Sequence, residues 1–157
     1  MAFYSVNNSL GGSAQNLSSS YKTIITSTSS SATQARRGQI GDFSVGTDGT
    51  PADNAITWDI SRQTAAGTIT SVTAVALNPA DAAYLGLAAA NATVEGTITA
   101  TSSVFNLGAN QRASYRWAAQ PGSELVYPAT TANGFALRAK SASYTSTVTA
   151  QWIVQEL

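Results

Sequence analysis

From Ala55 to Arg62 the chain alternates without a break. Ile56, Trp58 and Ile60 fall on one side and Thr57, Asp59 and Ser61 on the other, the period of two that a half-buried strand requires. The residues before it, Gly46 to Asn54, are dense in turn formers: Gly49, Pro51 and the Asp53-Asn54 pair fix where that strand begins. The same alternation recurs in Arg112 to Ala118, with Ala113, Tyr115 and Trp117 on one face and Ser114 and Arg116 on the other. It recurs again in Gly134 to Lys140, where Phe135, Leu137 and Ala139 share a face, and in Ser143 to Glu156, where Val148, Ala150, Trp152 and Val154 do. Shorter or less regular strands are predicted at Tyr21 to Thr26, Gln39 to Thr47, Thr68 to Leu77, Val94 to Val104 and Glu124 to Tyr127.

One helix is predicted. Asn78 supplies an N-cap, Pro79 suits the first helical position, and Asp81 meets the positive end of the helix dipole, with the helix running to Leu85 and Gly86 ending it. Residues 1 to 20 sustain neither period, and their apolar residues Phe3, Tyr4, Val6, Leu10 and Leu17 stand isolated among Asn, Ser, Gly and Gln. The pattern therefore predicts an all-β chain: an antiparallel β-sandwich or jelly roll over residues 36–157, one short crossover helix, and an extended N-terminal arm and linker over residues 1–35. Aromatic residues are rare in free polar tails, so Phe3 and Tyr4, with Val6 and Leu10, are expected to anchor the arm on a neighbouring subunit or partner.

Composition narrows the chemistry. The chain of 157 residues has no cysteine and no histidine, which removes disulfides, thiolate metal sites, the thiol nucleophile and the usual neutral-pH base. Eight basic and eight acidic residues balance, and only 10% of the chain is charged. Such a surface lacks the field that steers nucleic acid or anionic lipid, so neither is expected as a partner. No stretch has the length of a membrane span, and the first residues lack the basic and apolar regions of a secretory signal.

Candidate sites are few. Asp48, Asp53 and Asn54 offer hard oxygen ligands in one loop but not at EF-hand spacing, so no metal is expected there. Trp58, Trp117 and Trp152 share faces with core-type residues, which favours packing over a sugar platform. Asp59 and Glu124 are the one carboxylate pair a glycosidase reading would use, and nothing in the sequence joins them. No enzymatic activity and no cofactor are expected. Before Asp42 the only charged side chains are Lys22, Arg36 and Arg37, a mildly basic stretch that an acidic protein surface would meet. Arg116 and Arg138 lie opposite the apolar stripes of their strands, where they suit the rim of an interface.

The segments Val-Gly-Thr-Asp-Gly-Thr-Pro-Ala-Asp-Asn-Ala-Ile-Thr-Trp (45–58), Thr-Ala-Ala-Gly-Thr (64–68), Leu-Asn-Pro-Ala-Asp-Ala-Ala (77–83), Asn-Gln-Arg-Ala-Ser-Tyr-Arg-Trp (110–117) and Asn-Gly-Phe-Ala-Leu-Arg (133–138) resemble small Ala/Thr-rich proteins of tailed-bacteriophage structural gene modules. Within that group the size and all-β character look most like head decoration, or cement, proteins. That resemblance implies a non-catalytic homotrimer on the outside of the virion, made in the host cytoplasm, that binds the major capsid protein and stabilises its lattice. A tail component or jelly-roll capsid subunit is the alternative within the virion, and a glycan-binding adhesin module the alternative outside it.

Overall fold

Ile56, Trp58 and Ile60 all enter the core, as their spacing requires, and the strand that carries them continues past Arg62 to Ala65. The computed structural model describes residues 1–11, 15–30, 33–142 and 147–157, and side chains in those spans except at positions 10 and 11. Among the described residues the chain forms β1 (Phe3–Asn7), β2 (Gln15–Asn16), β3 (Lys22–Thr28), β4 (Gly38–Thr47), β5 (Ala55–Ala65), β6 (Thr68–Ser71) and β7 (Val75–Ala76). It continues with β8 (Leu87–Val94), β9 (Thr97–Asn110), β10 (Tyr115–Ala118), β11 (Leu125–Tyr127), β12 (Gly134–Lys140) and β13 (Thr147–Glu156).

These strands build two open sheets. Sheet A has the order β10-β4-β13-β1-β7, with β11 also on β4 and β2 also on β13; sheet B has the order β6-β8-β3-β12-β5-β9. Every pairing is antiparallel. One hydrophobic core joins the sheets, with Trp152 fully buried and its Nε1 donating to Ser27 Oγ across them at 3.1 Å. Among the described residues neither sheet closes on itself, and the fold is a pair of open sheets in place of the predicted jelly roll.

Two further expectations are corrected. The predicted extended arm is not one: β1 is an interior strand of sheet A, between β13 and β7. Tyr4 and Val6 point inward, at 2% and 0% exposure, while Phe3 and Ser5 lie on the other face. Asn8 extends the grip beyond the strand, its Oδ1 accepting from Ala150 N at 2.9 Å and its Nδ2 donating to Val148 O at 2.7 Å.

The predicted crossover helix is also absent, and the described residues contain no α-helix, only a 3-10 turn at Asn8–Gly11. Asn78 does cap a turn, since Ala80 N donates to its Oδ1 and Asp81 N to its carbonyl. Past that turn, tertiary partners take the groups a helix would use. The Tyr4 hydroxyl donates to Ala82 O at 2.9 Å, and Glu156 Oε1 accepts from both Leu85 N and Gly86 N at 2.8 Å. Tyr84 drops inward, its ring 5.1 Å from that of Tyr4 and its hydroxyl 2.7 Å from that of Tyr127. Burial pushes the Tyr84 phenol up to about 12. Gly38 makes room for this cluster, because a Cβ there would meet the Tyr127 hydroxyl at 2.1 Å.

Candidate interaction surfaces

The outer face of sheet A follows from the alternation of its strands. With Tyr4, Val6, Phe43, Val45, Val148, Ala150 and Trp152 turned inward, Phe3, Ser5, Asn7, Ser44, Thr149 and Gln151 are left outward. At one end of β1 the register of Tyr4 on Ala76 and Ser5 on Val75 sets Phe3 beside Leu77, whose N–H donates to the Phe3 carbonyl at 2.8 Å. Phe3, Val75 and Leu77 are 45%, 50% and 58% exposed and form an apolar patch.

At the other end of β1 lies a groove of about 580 Å³, lined by Asn7, Ser44, Thr47, Gln111, Ser114 and Gln151 among others, with Arg112 its one charged side chain among the described residues. Arg112 is paired with Asp53 at 3.3 Å, so the groove is nearly neutral and rich in amides and hydroxyls. Gln111 is buried to 1% exposure. Its Oε1 accepts from Ala52 N at 2.8 Å, while its Nε2 finds no partner among the described residues. A buried donor of this kind is costly to leave unmade.

The residues singled out from sequence scatter over the molecule. Of the four arm residues, Phe3 is exposed, Tyr4 and Val6 are core, and the side chain of Leu10 lies outside the described residues. Arg36 and Arg37 are exposed ahead of β4, and the Arg37 carbonyl accepts from Leu157 N. Arg116 lies on the outer face of sheet A in an exposed ion pair with Asp42, its Nε 3.1 Å from both carboxylate oxygens. Arg138 belongs instead to a mostly buried cluster on sheet B. It holds Asp59 Oδ2 at 2.6 Å and Ser61 Oγ at 3.0 Å, with the ring of Tyr21 4.6 Å from its guanidinium.

Asp59 also accepts from Ser61 at 2.6 Å and Ser103 at 2.5 Å. Burial by itself would raise its carboxyl, but the bonds from Ser103, Ser61 and Arg138 outweigh that and hold it below the usual carboxylate range. The structure does not bring Glu124 to it: Glu124 caps the next turn, accepting from Gly122 N at 2.9 Å. Trp58 and Trp152 are inside the core; Trp117, half-buried, stacks on Phe43 with ring centroids 5.4 Å apart. In the turn before β5, Asp48 accepts from Gly49 N and Asp53 pairs with Arg112. Among the described residues no group of three or more acidic, His or Cys side chains is placed to hold a metal ion.

No family model, curated protein or solved structure matches this chain. The sequence reading missed the groove because Asn7, Ser44, Gln111 and Gln151 are ordinary polar residues far apart in the chain, brought together by the pairing of β1, β4 and β13 and, for Gln111, by the bond from the Thr47 hydroxyl to its carbonyl. Val75 and Leu77 fall in a predicted strand, and their exposure follows from the pairing of β7 on β1, which turns them to the outer face with Phe3 and Ser5.

Proposed function

We propose that this protein is a non-catalytic structural protein that docks the outer face of sheet A on an assembled protein lattice, and that this lattice is the head of a tailed phage. Its segments resemble small proteins of tailed-phage structural gene modules, and its size and all-β character suit a decoration protein. The observation that carries this reading is the make-up of that face. β1 links an apolar patch at Phe3, Val75 and Leu77 to a neutral groove lined by amides and hydroxyls. Apolar contacts with a polar surround are the composition of protein–protein interfaces. A face with so little charge fits a neutral polypeptide surface better than a nucleic acid or a charged lipid. A module that binds only the assembled lattice stabilises it by mass action, and many copies together compensate for modest affinity.

The test is co-sedimentation with heads assembled from the major capsid protein encoded in the same gene module, against the same protein unassembled. The expected result is saturable binding to heads alone. Ser44→Arg, at an exposed position of the groove, is expected to weaken it tenfold or more, a loss of about 1.4 kcal/mol or greater. Equal binding to unassembled subunits, no binding to heads, or full binding by Ser44→Arg would overturn the reading.

A further inference from the structure

The outer edge of sheet B ends in β9, the longest strand, which has no strand on its far side among the described residues. Monomeric proteins usually protect such an edge with charge, proline, shortness or a bulge. Thr97 to Asn110 contains no charged residue and no proline. A device of the bulge kind is present only in its first half, where the register against β5 slips repeatedly and Thr101 adopts a φ of 53°. The last of these slips lies between Ser103 and Phe105, and beyond it the strand is open. From Phe105 to Asn110 its register on β5 is regular, so alternate residues direct their N–H and C=O groups away from the sheet.

We infer that β9 pairs antiparallel with β9 of a second copy, about a two-fold axis at Asn106, to give a dimer with one continuous sheet across both copies. The sequence of the edge is self-complementary in that register. On the inner face Phe105 of one copy falls opposite Leu107 of the other, and Leu107 opposite Phe105, so two apolar cross-strand pairs form. Both side chains are only half-buried in the single chain although both face the core, Phe105 lying 4.9 Å from Phe43 and 5.8 Å from Tyr115 between ring centroids. On the outer face, at Gly108, a Cβ would meet nothing within 4 Å. A glycine in a strand with open space beside it suits the close approach of another backbone. Antiparallel pairing of like with like makes an isologous interface that closes after two copies and uses up the exposed edge. This goes beyond the lattice-docking reading and does not depend on it, since β9 belongs to the sheet that the docking face does not use.

The test takes the full chain without heads. Light scattering on a sizing column is expected to give twice 16.1 kDa. The absence of native cysteine makes the register directly addressable: Asn106→Cys is expected to join to its copy through a short bis-maleimide, and Asn110→Cys, several residues from the axis, is not. Gly108→Lys, which has room in the single chain, is expected to give a folded monomer with an unchanged circular dichroism spectrum. A mass of 16.1 kDa at the highest attainable concentration would overturn the inference. So would a trimer, a dimer insensitive to Gly108→Lys, or cross-linking at position 110 but not 106.

Discussion

Arg138→Ala is expected to cost about 3–5 kcal/mol of folding stability, the penalty for leaving a buried carboxylate without its cation. The side chains of Asp59 and Arg138 are 4% and 15% exposed, so solvent replaces little of what the substitution removes. Ser61 and Ser103 would still donate to Asp59, which keeps the loss finite. The effect depends on pH with a definite sign. A carboxylate held below its unfolded value, about 3.9, contributes stability above that value and loses it as pH falls through the lower, folded one. The gap between the parent chain and Arg138→Ala should therefore be widest near neutrality and narrow below about pH 4. Replacing both partners with uncharged residues of similar volume, Asp59→Asn with Arg138→Met, should cost less than Arg138→Ala alone. Urea unfolding across a pH series measures all of this. Equal stability of Arg138→Ala and the parent at neutral pH would contradict the buried-pair account.

Deleting residues 1–7 is expected to abolish cooperative unfolding. The deletion removes the burial of Tyr4 and Val6, together about 5 kcal/mol or more, and the pairing of β1 with both β13 and β7. It also leaves β13, at the centre of sheet A, with an unpaired edge. A loss of that size is comparable with the whole stability of an ordinary domain. The single substitution Val6→Ala gives a graded version, expected to unfold cooperatively at lower urea. Calorimetry or denaturant titration of both variants reads the result. A truncated chain with an intact transition would mean that the segment behaves as a detachable arm.

That prediction marks where sequence reasoning stopped. The alternation in Ala55–Arg62 and Gly134–Lys140 was legible, Gly134–Lys140 with the expected bounds and Trp58, Phe135, Leu137 and Trp152 in the core, whereas Arg112–Ala118 forms a strand only from Tyr115 and its Ala113 is exposed. β1 carries the same alternation over only five residues, and its partner lies at the far end of the chain, Phe3 opposite Gln155. A pairing so distant leaves no mark in a local window. The helix expected at Asn78 failed for the opposite reason. Its local signals were sound and formed their turn, but Tyr4, Glu156 and the Tyr84–Tyr127 pair offered better partners to the residues that follow. In β9 the glycine and asparagines from Asn106 onward look like a turn, because at an edge the outer positions need no apolar residues. The outward face of sheet A was legible only as individual polar residues, and it becomes a surface once the strand order is known.

The most direct test of the docking claim is hydroxyl-radical footprinting of the chain, free and bound to assembled heads. Phe3, Val75 and Leu77 are expected to lose reactivity on binding, while Val94, exposed on sheet B, keeps it. Protection of Val94 with Phe3 and Leu77 unchanged would place the contact on the other sheet and contradict the account.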